Sequence, residues 1–327
     1  AATFGVACYS KVEMIGSICT LLARGAIISM VVVLFVLPAM FMIFDKVICK
    51  TSIDFLGEKA KAKAAARAIE QAGIAPEEID LILLATSSPD SCFPNGACEV
   101  QAKIGAIHAA CYDISAACTG FVFALSTAHA FISSGIYRTA LVIGADVLSK
   151  LVDWTDRGTC VLFGDGAGAA VVSADETGVL GLNMHSNGAK GEVLTCGSRS
   201  NGNFLLGRKP ELGYMAMDGQ EVFKFAVKKV PECISQVLED TGYITGDIDH
   251  FIIHQANYRI IESIAKRLKV DIEKFPVNME HYGNTSGASV PILLDELNQA
   301  GKLKRGERIV LSGFGAGLTW GALLLEW

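Results

Sequence analysis

The stretch Ala68–Thr86, AIEQAGIAPEEIDLILLAT, returns as Val237–Gln255, VLEDTGYITGDIDHFIIHQ, at a constant offset of 169 residues. Each copy reads as a helix end, a stopping glycine (Gly73, Gly242), a turn, an Ile-Asp pair and an apolar strand of the buried type. A second echo pairs Phe163–Ala174, FGDGAGAAVVSA, with Gly313–Trp327, GFGAGLTWGALLLEW. A period this long is not that of a solenoid repeat. It predicts two related βαβ-rich halves packed as a layered α/β structure.

Outward from the first copy, the pattern predicts a helix over Phe55–Ala72, a strand over Ile79–Ala85 and a short helix over Val100–Ile104. A strand over Ala110–Ile114, a helix over Phe121–Ser134 closed by Gly135, and a strand over Ala140–Ala145 follow. Cys160–Ser173 is glycine-rich and ends in an apolar strand. Asp175–Gly213, rich in Gly, Ser and Asn, reads as connecting loops. The expected division is therefore 1–50, 51–174 as the first half, 175–214 as connecting loops, and 215–327 as the second half.

Composition narrows the class. With 327 residues, 51% hydrophobic and 19% charged, the chain can bury a large core around a mainly covered sheet. A formal charge of −6 argues against broad nucleic-acid binding. The ten cysteines show no regular framework, which suits free thiols in a reducing compartment. No CxxC pair or Cys/His cluster has zinc spacing, so no structural metal is expected.

The first fifty residues differ in character. Gly25–Phe44, GAIISMVVVLFVLPAMFMIF, is twenty residues without a charge, long enough to span a bilayer. Arg24 precedes it; Asp45, Lys46 and Lys50 follow, with Lys59, Lys61 and Lys63 further on. The excess of positive charge places the C-terminal side in the cytoplasm. A cleavable signal peptide fits poorly, because the apolar run is too long and begins too late. Residues 20–50 resemble the last transmembrane helix of an RND/MMPL-type exporter. A helix buried in a core is the other reading of the same residues.

Three stretches carry candidate chemistry. In Asp113–Phe121, DISAACTGF, a strand ends in small residues before Cys118, and the next apolar run is helical. A cysteine at a helix start meets free N–H groups and the positive end of the dipole, which favour a thiolate. A buried structural cysteine is the alternative. His254, in IIHQANYRII, follows the second-copy strand where the first copy has only Ala85-Thr86; strand ends are where ligands collect in α/β sheets. Asn284, in HYGNTSGAS, lies between Gly283 and Gly287, with a helix start expected at Ser286 and Pro291 near its first turn. Structural roles for the histidine and turn chemistry for the asparagine remain open on these residues alone. Together the three stretches give a nucleophile and two hydrogen-bonding side chains, the residue types of papain-like proteases, which this duplicated α/β pattern does not suit.

With DISAACTGF, DWTDRGTCVLFGDGAGA, IIHQANYRII, HYGNTSGAS and GFGAGLTWG together, residues 53–327 resemble a β-ketoacyl-acyl-carrier-protein synthase III of the thiolase-like superfamily. Type III polyketide synthases share Cys-His-Asn but resemble the flanking strings less. The resemblance implies thiolase-like duplicated halves in an α-β-α-β-α architecture, here with an extra N-terminal hydrophobic helix. It implies decarboxylating condensation of an acyl-coenzyme A primer with malonyl-acyl carrier protein, initiating fatty acid biosynthesis through an acyl-Cys118 intermediate. His254 and Asn284 would donate hydrogen bonds to the malonyl thioester oxygen, and the N–H groups of Cys118 and Ala316 would form the second oxyanion hole. Phe93 would wall the partner's acyl pocket across a homodimer; Arg157 would stack on the coenzyme A adenine, Gly219 and Asn257 would contact the pantetheine, and Phe223 would be an active-site aromatic. Arg259, Lys266 and Arg267 would form the docking face for the carrier protein. No cofactor is implied, coenzyme A entering only as a thioester substrate. The family's first strand and its Trp and Arg-Thr-Gly-Ile coenzyme A segment have no counterpart here; the exporter-like stretch stands in their place. That leaves a cytoplasmic synthase tethered to the inner membrane face through residues 25–44, a fused reading frame, or a catalytically impaired interaction module.

Overall fold

The computed structural model describes residues 58–175, 177–197, 204–207 and 213–327. The apolar segment 25–44 and the first residues of the helix expected from Phe55 lie outside them. Among the described residues no helix is long and apolar enough to cross a membrane.

The duplication is visible residue by residue. Helix α1 (Glu58–Ala72) stops at Gly73, φ +67°, and the 23-residue helix ending at Thr241 stops at Gly242, φ +75°. Both glycines adopt the left-handed conformation that side chains resist. A 3₁₀ turn follows in each copy, Pro76–Glu78 and Thr245–Asp247, and its last carboxylate reaches back to a backbone N–H: Ala75 to Glu78 at 2.7 Å, Ile244 to Asp247 at 2.9 Å. The strands β1 (Leu81–Ala85) and, in the second half, His250–Ile253 come next.

In the first half α2 (Gly96–Ile104), β2 (Ala110–Ile114), α3 (Gly120–Ser133), β3 (Thr139–Val147) and β4 (Asp165–Ser173) complete the unit. The second comprises β5 (Val179–Ser186), β6 (Leu194–Cys196), β7 (Met215–Met217), α4 (Gly219–Thr241), β8 (His250–Ile253), α5 (Tyr258–Leu268), α6 (Met279–Tyr282), α7 (Ser289–Gln299), β9 (Arg308–Gly315) and β10 (Thr319–Glu326). One sheet runs β2-β1-β3-β4 and the other β5-β10-β9-β8; β4 and β10 are antiparallel to their inner neighbours, while β1, β2 and β3, like β8 and β9, are parallel. Strand β5 falls within the stretch read from sequence as loops: it pairs with β10 and belongs to the second sheet.

Strand alternation builds five layers, α-β-α-β-α. Leu81, Leu83 and Ala85 face a central layer of α3 and α7, which the second sheet covers from the other side with Ile252, Ile309, Leu311 and Leu323. Ile82 and Leu84 face outward beneath α1 and α2, and Phe251, Ile253 and Val310 face outward beneath α4 and α5. Strands covered on both faces read as continuous apolar runs, which is why LILLA and FII show no polar alternation.

Candidate active site

Three strands, β2, β8 and β9, end at candidate residues, and the fourth candidate, Asn284, follows α6. After β2, Ser115 and Ala116 lead into a 3₁₀ turn, Ala117–Thr119, and only then into α3. Cys118, 8% exposed, therefore sits one turn ahead of the helix that the sequence places it on. After β8 comes His254, buried, its N–H donating to the Ser312 carbonyl at 2.8 Å. Asn284 is held on both sides of its backbone: its N–H donates to Leu162 O, and its carbonyl accepts from Gly164 N–H, each at 2.9 Å. Its Oδ1 accepts the Ser286 N–H at 2.9 Å. After β9, Ala316 begins the turn into β10. A Cβ on Gly315 would stand 2.8 Å from Cys118 Cβ and 3.1 Å from its Sγ, so only glycine lets this turn approach the cysteine so closely.

Cys118 and Ala316 wall one cavity of about 370 Å³, together with Ser87, Ser286 and the apolar Leu148, Phe163 and Met215. His254 and Asn284 are not among its walls. Asn284 holds the wall residue Ser286, and the His254 ring packs edge-on against Phe314, centroids 5.1 Å apart.

Electrostatics assigns the groups. Burial pushes the Cys118 thiol up to about 12. The Ser286 hydroxyl and the cysteine's own backbone draw it down, while the Asp146 carboxylate adds to the rise. The resting form is thus the thiol; at this position burial outweighs the helix-start field that the sequence suggests. Burial also pushes His254 down to about 3, so the ring stays neutral. Its Nδ1 meets Ser289 Oγ at 2.7 Å, and that oxygen already accepts the Gln255 N–H at 3.4 Å. Where the Ser289 hydroxyl donates to Nδ1, the ring proton sits on Nε2.

The Clostridium acetobutylicum beta-ketoacyl-[acyl-carrier-protein] synthase III is 53% identical to this chain over 271 residues, covering 81% of this chain and 82% of that protein. The chain belongs to the β-ketoacyl-acyl-carrier-protein synthase III family. Its models, 3-oxoacyl-[acyl-carrier-protein] synthase III and the C-terminal part of the same enzyme, match residues 112–188 and 238–327. The crystal structure of the Aquifex aeolicus synthase III superposes with TM-score 0.75 at 45% identity, covering 82% of this chain and 83% of that one. The priming β-ketosynthase of the R1128 polyketide pathway follows with TM-score 0.74 at 36% identity, over 81% and 80%. The protein is an acyltransferase of the thiolase-like fold, and its role is the initiating condensation of fatty acid biosynthesis.

The remaining sequence-derived positions of this synthase spread outward. Phe93 is 87% exposed, just before α2. Arg157 is exposed in the loop before β4, Gly219 opens α4, and Phe223 stands half-exposed one turn on. Asn257 caps α5, its Oδ1 accepting the Arg259 N–H at 2.9 Å. Arg259, Lys266 and Arg267 are all exposed on that helix. Among the described residues, no group of His, Cys, Asp and Glu is placed to hold a metal ion.

Sequence reasoning missed Asp146, Ser286 and Ser289. Asp146 is buried at the end of β3, where burial pushes its carboxyl above the usual carboxylate range and its hydrogen bonds pull it back. Its Oδ1 accepts from Thr86 Oγ1, Ser87 N–H and Ser88 Oγ at 3.3, 2.7 and 3.0 Å, and its Oδ2 from Gly287 N–H at 3.2 Å. An acid inside the apolar run ALVIGADVL was the available signal, since charges are rarely buried without a reason.

Proposed function

We propose that Cys118 takes the acyl group from an acyl-coenzyme A primer and passes it to the enolate of malonyl-acyl carrier protein. The observation that carries this reading is the approach of Gly315 to Cys118 across the two halves, with Cys118 and Ala316 walling one cavity. Two N–H groups beside one thiol suit a thioester oxygen, which becomes an oxyanion when sulfur adds to the carbonyl. The thiol proton leaves as the new C–S bond forms, and the departing coenzyme A thiolate is its final acceptor. The apolar walls Leu148, Phe163 and Met215 suit the acyl chain. No resident cofactor enters this scheme.

His254 and Asn284 act in the second step, as donors to the malonyl thioester oxygen while carbon dioxide leaves. A ring that burial holds neutral and weakly basic supports donation over proton abstraction. Removing one such donor costs roughly 10²–10³ in rate. His254→Ala and Asn284→Ala should still accept an acyl group on Cys118 but fail to release carbon dioxide from malonyl-acyl carrier protein. Loss of acylation with decarboxylation retained would reverse the assignment.

The same reading gives Arg157, Gly219 and Asn257 the coenzyme A moiety, Phe223 an active-site aromatic's place, and Phe93 the partner's acyl pocket in a homodimer; the exposure of Phe93 supports a covering partner. Arg259, Lys266 and Arg267 dock the acidic carrier protein. The reaction belongs in the cytoplasm, with residues 25–44 holding the full-length chain to the membrane. Fractionation of the full-length protein tests the last point: recovery in the soluble fraction would remove the tether and leave the chemistry standing.

A further inference from the structure

The two N–H groups assigned to the thioester oxygen belong to turns from different sheets. One turn, Ala116–Thr119, follows β2; the other, Ala316–Leu318, joins β9 to β10. An oxyanion site of this kind works only if the spacing between its donors is held fixed.

Two threonines 200 residues apart connect the turns. Thr119 follows the nucleophile directly and is fully buried. Its Oγ1 lies 2.9 Å from Thr319 Oγ1 and 3.2 Å from the Thr319 carbonyl. Thr319 Oγ1 lies 2.9 Å from the Ala316 carbonyl and 3.5 Å from the Ala116 carbonyl. Each hydroxyl has one proton. The shortest contacts give a single chain: Thr119 donates to Thr319 Oγ1, and Thr319 donates to Ala316 O. Thr319 also pairs with Gly315 in the β9–β10 ladder, so Ala316 is held at its carbonyl and at its preceding residue.

We propose that Thr119 and Thr319 are positioning residues whose paired hydroxyls set the distance between the Cys118 and Ala316 N–H groups. The inference rests on the proposed role of those N–H groups. Thr319 lines the same cavity as Cys118 and Ala316, but its hydroxyl proton is committed to the Ala316 carbonyl and that of Thr119 to Thr319. Each acts through the turn it ties down, and the pair acts as a unit.

The test uses full-length protein with Thr319→Val, which keeps the shape and removes the hydroxyl, and Thr319→Ser, which keeps the hydroxyl and removes a methyl. Thr119→Val and the double valine variant complete the set. Two rates are read at Cys118 by intact-protein mass spectrometry: acylation by acetyl-coenzyme A, and alkylation by iodoacetamide, which needs the thiol but no oxyanion site. Thr319→Val should lower the maximal acylation rate by about 10- to 100-fold, the scale of an ångström-sized misplacement, while half-saturation and alkylation change little. Thr319→Ser should restore acylation, and the double variant should be no slower than the worse single one. Acylation at the wild-type rate in both single valine variants would overturn the proposal. So would a fall in alkylation matching that in acylation, the mark of a general loss of packing. A wild-type protein that alkylates at Cys118 yet takes no acyl group would overturn the proposed function and this inference with it.

Discussion

Replacing Asp146 by asparagine keeps the shape of the side chain and removes its charge, with opposite consequences for stability and for the nucleophile. The retained oxygen can still accept from Thr86, Ser87 and Ser88. The new amide nitrogen faces the Gly287 N–H, now 3.2 Å from Oδ2, and cannot accept from it. One buried backbone donor is left unpaired, at a cost of about 1–3 kcal/mol in folding stability. The carboxylate also stands among the causes that raise the Cys118 thiol to about 12. Removing a negative charge next to a forming thiolate lowers that value, and each pKa unit is worth about tenfold in thiolate at neutral pH. Asp146→Asn should therefore melt earlier yet alkylate faster at Cys118, its iodoacetamide rate–pH profile displaced toward lower pH. Mass spectrometry assigns the adduct to Cys118 among the other free thiols. An unmoved profile, or one displaced upward, would refute the view that an ionised Asp146 bears on the nucleophile.

Gly315→Ala should force a Cβ to within 2.8 Å of Cys118 Cβ, costing about 1–3 kcal/mol by overpacking and slowing acylation by about 10²-fold through displacement of the sulfur; urea titration and the acylation assay read both. His254 is held near 3 when folded and titrates near 6.5 when unfolded, so the unfolded state takes up the extra proton and stability falls as pH drops from 6.5 toward 3. The limit is about 5 kcal/mol, and His254→Asn should show a shallower decline in urea midpoints across that window. Charge reversal at Arg259, Lys266 and Arg267 should raise the half-saturating concentration of malonyl-acyl carrier protein, more so at low salt, and leave acylation by acetyl-coenzyme A untouched; steady-state kinetics at two ionic strengths decides it.

What was legible in the sequence was local or repeated. The helix stops at Gly73 and Gly242, the turns after them and the strands that follow are specified by neighbouring residues, and the structure repeats them at the same offset. Strand β5 was hidden because it lies at a sheet edge, with Leu180 and Leu182 over a third exposed, inside a stretch rich in Gly, Ser and Asn. Cys118, His254 and Asn284 stood out because flanking strings mark them. Their supports did not: Asp146 meets Gly287 and Thr119 meets Thr319 only after the halves pack, and His254 meets Ser289 only once the second half folds on itself. Contacts across 141, 200 and 35 residues leave no spacing to read. The burial that raises the Cys118 thiol is illegible for a related reason. A helix start can be seen in sequence, whereas the burial that overrides it depends on the opposite half of the fold.

The most direct measurement is a two-stage experiment on the full-length protein. Acetyl-coenzyme A is added first, and intact-protein and peptide mass spectrometry locate the adduct; malonyl-acyl carrier protein is then added and the adduct is followed again. The account predicts one acetyl group on Cys118, absent in Cys118→Ala, that disappears in the second stage as 3-oxoacyl-carrier protein and carbon dioxide form. An adduct that persists in Cys118→Ala, or an acetylated Cys118 that malonyl-acyl carrier protein does not discharge, would contradict it.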